Sequence, residues 1–373
     1  MKIIKVGGRE CFTDLPIDVH FILTLQCNYR CSYCFQYGKG KNTPPQLPFS
    51  TLTQIKTAVN NVVSLNRPWY DIQLIGGEPT IHPHITDIIS MFSERLGERI
   101  NCFLITTNGS RNKVLYKKIT EIAKRVCFQL NISIHTEYVE MDHILELTEN
   151  LANDVNLDFE LMVNPDKREM VYNIYETLLE YRKRYQFKLN VVMLRDGDRV
   201  DTRYTPEDFM WQKKAQKQFD DLAKSFSSKL PLRKKLKSPK LVLHDIEKNG
   251  ELKTVKQGNR NLELIEGLLN FKGMYCISHA SFLRIQADGR FRGMICNLDP
   301  FIGNIFEENA LLPIRDKLIH AVKCTSPLCG CIGNDVIPKF ASEKDAKKYV
   351  QFAKKRQAEL FSEYDAARSF KII

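Results

Sequence analysis

Three cysteines near the start of the chain, Cys27, Cys31 and Cys34, stand at C-x3-C-x2-C spacing. Three thiolates in one loop can hold three irons of a four-iron, four-sulfur cluster, and the fourth iron then has no protein ligand. Catalytic metal centres keep such an open position, whereas structural zinc sites close it with a fourth ligand, often as two C-x2-C pairs. Only one C-x2-C pair is present in the loop, and the nearest histidine, His20, lies in the segment before it. A ferredoxin-type cluster would need a fourth cysteine close by, and none follows Cys34. A second group comprises Cys276, Cys296, Cys324, Cys329 and Cys331. Clustered cysteines in a chain of this kind point to metal binding or catalysis rather than to disulfides. Of the eleven cysteines, Cys11, Cys102 and Cys127 stand alone, and the latter two sit in apolar runs as small core residues do.

The elements that must position these residues are legible in the hydrophobic pattern. Strand-like runs at Val19–Thr24, Ile72–Ile75, Ile100–Thr106, Phe128–His135, Leu157–Val163 and Phe187–Leu194 alternate with helical patterns. The helical patterns are Thr51–Leu65 behind a Ser50 N-cap, Ile85–Leu96, Lys113–Arg125, Met141–Ala152 and Glu169–Tyr185. Repeated strand–helix–strand units predict an α/β fold, a partial (β/α)6 TIM-like barrel, with its chemistry at the C-terminal ends of the strands. The pattern divides the chain into a core at 1–200, a basic connector at 201–270, a cysteine-rich part at 271–340 and a C-terminal helix at 341–373. Within the connector, residues 213–240 hold ten Lys or Arg against Asp220 and Asp221, a solvated connector or a docking face for an acidic substrate. The net charge of +11 favours acidic partners without choosing among them. No apolar run is long enough to span a bilayer and no signal peptide is visible, so a cytoplasmic location is expected, with no membrane partner.

The motifs at the predicted strand ends resemble those of the radical S-adenosylmethionine (SAM) superfamily. C-x3-C-x2-C with an aromatic residue, Tyr33, before its last cysteine follows the first strand. Gly76-Gly77-Glu78-Pro79 ends the second and resembles the family's GGEP motif. Thr106-Thr107-Asn108-Gly109 ends the third and resembles its S/T-N-G segment, and Ser133-Ile134-His135 ends the fourth. The resemblance covers about residues 18–195. It implies that Cys27, Cys31 and Cys34 ligate a 4Fe–4S cluster whose open iron is chelated by SAM, with Tyr33 near the adenine. It implies that the GGEP backbone and Glu78 hold the SAM amino group and that Ser133 contacts the ribose or carboxylate. His135 contacts SAM or substrate, or is structural. A flavodoxin- or ferredoxin-type electron donor follows from the same resemblance.

The later cysteines flank an apolar hairpin around Asp288-Gly289-Arg290. This resembles the SPASM and twitch extensions of the family, which hold auxiliary iron–sulfur clusters. The full SPASM cysteine run is missing, so one auxiliary 4Fe–4S cluster is expected, on Cys276, Cys296 and two of Cys324, Cys329 and Cys331. Four of the five could instead hold zinc. The SPASM and twitch group implies a ribosomal precursor peptide as substrate and a crosslink, cyclophane or thioether, as product. Epimerisation, or dehydrogenation or dehydration of a small molecule or nucleotide, is the alternative. A non-enzymatic iron–sulfur or zinc protein would have no need of GGEP. Many peptide maturases carry a winged-helix domain before the first cysteine group, and Cys27 comes too early for one here. Nucleic acid is not expected as a partner.

Overall fold

The computed structural model describes residues 3–6, 9–12, 15–34, 36, 47–196, 199–223, 245–248, 251–254, 270–326, 329 and 337–369. A short hairpin of β1 (Ile3–Val6) and β2 (Arg9–Phe12) precedes the core. The core then runs β3 (Ile17–Thr24), α1 (Leu52–Ser64), β4 (Tyr70–Gly76), α2 (Ile85–Leu96), β5 (Ile100–Thr107), α3 (Lys113–Ala123), β6 (Phe128–Ile134), α4 (Met141–Leu151), β7 (Asn156–Val163), α5 (Arg168–Arg182), β8 (Lys188–Met193) and α6 (Pro206–Ala223). Strands β3 to β8 lie side by side in chain order, each parallel to the next. This is the partial barrel that the βα alternation predicts.

Strand period 2 explains both faces of the sheet. In β3, Ile17, Val19, Phe21 and Leu23 are buried under the helices, and so are Phe159 and Leu161 in β7. Each helix lays one stripe onto that layer. In α1 the stripe is Ile55, Ala58, Val59, Val62 and Val63. Full burial of side chains of this size stabilises by about 1.5–3 kcal/mol for each large one. The cap of α1 is Thr51, in a reciprocal capping box with Gln54, and not the expected Ser50. Ser50 is buried against His82 instead, its Oγ 3.2 Å from Nε2.

The expected hairpin at Asp288-Gly289 is present, pairing strand Phe282–Ile285 with Arg290–Arg292. It does not stand in a separate domain. Strand Phe282–Ile285 runs parallel to β3 and extends the core sheet to nine strands, with Gly303–Asn304 at the outer edge. The division at residue 271 therefore marks a change of composition, while one sheet and one apolar core run across it. Beside the sheet, strand Tyr275–Ser278 pairs antiparallel with His320–Lys323 and Lys339–Phe340. The C-terminal helix Glu343–Ser369 returns to the core, where Gln357 donates to the Leu65 carbonyl. Helix α6 covers the start of the 213–240 stretch, and the rest of that stretch lies outside the described residues. No helix among the described residues is long and apolar enough to cross a membrane.

Candidate functional site

The four strand-end motifs meet at the C-terminal edge of the sheet, bound to one another by hydrogen bonds. GGEP is tied to the cysteine loop through the backbone: Gly77 N donates to the Thr24 carbonyl and Glu78 N to the Gln26 carbonyl, both at 2.8 Å. The approach leaves no room for a side chain. A Cβ on Gly77 would sit 2.2 Å from the Gln26 oxygen, and one on Gly76 would sit 2.3 Å from the Thr24 oxygen. These glycines are thus required by contact between two protein segments, before any ligand is considered.

Glu78 is completely buried. Its Oε1 accepts from Thr80 N (2.9 Å), Thr80 Oγ1 (2.6 Å) and Thr107 Oγ1 (2.7 Å), and its Oε2 accepts from Asn108 N (2.6 Å). Burial pushes the carboxyl pKa up while these donors oppose the shift. These four donors orient the carboxylate expected to accept from an ammonium group. The carboxylate joins the end of β4 to the end of β5. From there Asn108 Nδ2 reaches Asn28 Oδ1 in the cysteine loop (2.9 Å), and Asn28 Nδ2 reaches Ser110 Oγ (2.8 Å). Asn108 Nδ2 also points at Cys27 Sγ, at 3.9 Å.

The end of β6 makes the fourth tie. The Tyr33 hydroxyl meets His135 Nδ1 at 2.9 Å and the two rings stack. Ser32 N donates to Glu137 Oε2 at 2.8 Å, and the Ser32 hydroxyl donates to Oε1. Burial lowers the His135 pKa to about 4, so the ring is neutral at pH 7. Ser133 is buried beside Glu160, its Oγ 3.4 Å from Oε2. A cavity of about 260 Å³ opens between these loops, lined in part by Tyr29, Asn108, His135, Tyr138 and His143. The rings of Tyr29 and Tyr138 stack at 4.6 Å on its wall.

Sequence reasoning missed Asn28, Tyr29, Ser32, Ser110, Glu137 and Tyr138. The available signal was position: each lies within a few residues of a motif at a strand end.

Cys27, Cys31 and Cys34 thus face the strand ends together. Burial and neighbouring acids push the Cys31 thiol up to about 12, and burial also raises Cys27. Charging Cys27 and Cys31 there requires cations close to the sulfurs, which the irons of a cluster would supply. Among the described residues, no three cysteine sulfurs lie within 4.8 Å of one another. A single tetrahedral zinc with bonds of about 2.3 Å would draw its sulfurs to about 3.8 Å. The donor set, three thiols in one loop, fits a cluster.

The second group is gathered as well. Cys276 lies on strand Tyr275–Ser278, Cys296 follows the hairpin, and Cys324 and Cys329 follow strand His320–Lys323. Cys296 packs with Cys324 and Cys329 in one apolar cluster and with Cys276 in a neighbouring one, and burial pushes Cys276 up to about 12. Phe271, Met274 and Ile295 pack around them, and the buried Lys339 supplies a nearby positive charge. Cys331 lies outside the described residues.

One face of the sheet is polar and holds the alternate residues Asp18, Asp71, Asp158 and Glu160. Gln129 and Asn190 donate to Asp158, and Asn101 donates to Asp71. Burial, with Glu160 close by, raises Asp158 to about 7. By register the same face carries the cations Lys188 and Arg284.

Parallel βα units with four interlocked motifs around a three-cysteine loop define a SAM-dependent iron–sulfur domain. Residues 21–196 match the Radical SAM superfamily, and the chain carries a radical SAM domain there. The cofactors of that family are a 4Fe–4S cluster and SAM. Two curated relatives match over about a third of their length. They are a probable GTP 3',8-cyclase of Thermococcus kodakarensis (29% identical, covering 32% of this chain and 35% of the relative) and the GTP 3',8-cyclase of Synechococcus elongatus (32% identical, covering 30% and 32%). Among solved structures, the chain resembles anSMEcpe with bound AdoMet (15% identical, TM-score 0.49, covering 93% of this chain and 100% of that one). It also resembles BtrN in complex with AdoMet and 2-DOIA (16% identical, TM-score 0.33, covering 55% and 89%). The two structural likenesses carry no argument about substrate.

Proposed function

We propose that this radical SAM enzyme takes a hydrogen atom from a ribosomal peptide to start crosslink formation, and that it does so with an auxiliary 4Fe–4S cluster. Cys27, Cys31 and Cys34 hold the first cluster. When bound, that cluster and SAM supply methionine and a 5′-deoxyadenosyl radical that abstracts hydrogen. The backbone of Gly76, Gly77 and Pro79 borders the place for the SAM amino group, and Glu78, Thr107 and Asn108 keep that backbone fixed. Tyr33, Ser133 and neutral His135 line the opposite side. Cys276, Cys296, Cys324 and Cys329 hold the auxiliary cluster, and a flavodoxin- or ferredoxin-type protein delivers the electron.

The observation that carries the reading is the convergence of four cysteines, from three separate segments, next to the edge of the catalytic sheet.

A second reading is a nucleotide substrate, favoured by the two GTP 3',8-cyclases among the relatives. The two are separated by assaying reconstituted enzyme for 5′-deoxyadenosine with GTP, and with any short precursor peptide found encoded beside the gene. The peptide reading expects stimulation and mass loss of two hydrogens with the peptide only. Stimulation by GTP, with deuterium moving from the ribose to 5′-deoxyadenosine, would replace it with the nucleotide reading.

A further inference from the structure

Outside both cysteine groups, His279, Asp299 and His320 bring one ligand atom each to within 4.8 Å of one another. His279 and Asp299 are buried, at 4% and 0% exposure, and His320 is partly open to solvent. We propose that these three side chains form a mononuclear site for a divalent transition metal such as zinc, bound by two imidazoles and one carboxylate.

The hydrogen bonds around the site leave the right atoms over. Ser278 Oγ has one proton and donates it to Asp299 Oδ2 at 2.7 Å. It therefore accepts from His279 Nδ1, also at 2.7 Å, which puts the His279 proton on Nδ1. The remaining nitrogen, Nε2, carries a lone pair, and among the described residues it has no hydrogen-bond partner. The Leu318 carbonyl lies beside the ring and favours its protonated form as a hydrogen-bond acceptor does, but it falls outside hydrogen-bond geometry with Nε2. An unpartnered nitrogen this deeply buried is costly unless something coordinates it.

His320 repeats the pattern. Its Nδ1 faces the Leu318 carbonyl at 3.1 Å and its Nε2 faces Asp299 Oδ1 at 3.1 Å, so both nitrogens meet acceptors only. As an imidazolium the ring pairs with Asp299; with the proton on Nδ1 alone, a metal ion takes the place of the second proton between Nε2 and the Asp299 oxygen. Asp299 Oδ2 is taken by Ser278 and by Gly293 N (2.8 Å), which leaves Oδ1 as the ligand. Metal-binding histidines characteristically donate their second nitrogen to an oxygen, as both do here. Gly293 makes the approach feasible, since a Cβ there would lie 2.2 Å from Ser278 Oγ.

The site's place in the fold indicates its use. His279 is three residues after Cys276, Asp299 three after Cys296, and His320 four before Cys324. Arg67, fully buried, donates to the carbonyls of His279 and Ala280 from the core side. A metal here would lock three cysteine-bearing segments to the core. This does not depend on the identity of the substrate or on the auxiliary cluster being loaded.

The test uses the chain with its iron–sulfur clusters reconstituted anaerobically, so that the cysteines are occupied, followed by zinc addition and desalting. The site predicts one zinc per chain beyond the iron. His279→Gln and His320→Gln should each weaken zinc binding more than about 100-fold, and Ser278→Ala by about 10-fold, all with unchanged iron. Cobalt(II) in the wild-type chain should give visible d–d bands without thiolate charge transfer. Absence of tightly bound zinc overturns the site and leaves a His320–Asp299 ion pair. Zinc retained in both histidine variants, or cobalt with thiolate bands, overturns it equally by placing the metal on cysteine. If His279→Gln fails to fold, the half-open His320→Gln and the cobalt spectrum decide.

Discussion

The two cysteine groups are built in opposite ways. The first lies in one loop of eight residues and is held by the ends of three neighbouring parallel strands, largely through backbone contacts and one buried carboxylate. The second is assembled from segments spread between Cys276 and Cys329, around a small antiparallel sheet, with the buried Lys339 nearby. A centre that must present an open position to a ligand is set into the most rigid edge of the fold. A centre that need only be enclosed can be made from irregular chain, provided something fixes the segments.

The sharpest way to break this contrast is to remove each set of thiols in turn. Replacing Cys27, Cys31 and Cys34 with serine should abolish 5′-deoxyadenosine formation from SAM and reductant, measured by chromatography. Replacing Cys276 and Cys296 should leave uncoupled SAM cleavage in place and stop product formation on substrate. If the second change also abolishes cleavage, the two regions are not separable in the way proposed.

The next effect tests whether the first site is held by Glu78. Glu78→Gln puts an amide where the carboxylate accepts four hydrogen bonds, so at least one donor loses its partner. A loss of about 2–4 kcal/mol is expected in denaturant titration, with weaker cluster retention. A pH dependence comes next. His135 titrates at about 4 in the folded chain, against 6.5 for a solvent-exposed histidine, so the unfolded chain binds the extra proton first. Its share of stability is present above pH 6.5 and is lost as pH falls from 6.5 to about 4, on the order of 3 kcal/mol. His135→Gln should flatten that part of the stability–pH curve. The smallest effect is that of Gly77→Ala, which should cost about 1–3 kcal/mol, because its Cβ would press on the Gln26 carbonyl.

The same contrast explains what could be read from the sequence. The six parallel strands and the five helices between them were legible, because each has a clean period and the motifs sit at strand ends, whereas α6 fell in the stretch read as a basic connector. The three thiols and the GGEP glycines were legible because their chemistry is local. The donors that orient Glu78 were not, since Thr107 and Asn108 are about thirty residues away and only parallel pairing brings them close. The Asp288-Gly289 hairpin was recognisable as a turn, yet its pairing with β3 is a long-range contact that no local pattern announces. The same holds for Glu137 beside Ser32, and for His279, Asp299 and His320, whose spacing of twenty and twenty-one residues resembles no ligand motif.

The central claim is that this chain carries two iron–sulfur sites, one open and one closed. Iron and sulfide analysis with Mössbauer spectroscopy of the anaerobically reconstituted chain tests it most directly. The account predicts about eight irons per chain, falling to about four in the Cys27, Cys31, Cys34 triple variant and to about four in the Cys276, Cys296 variant. Close to four irons in the wild-type chain, unchanged when Cys276 and Cys296 are replaced, would contradict it.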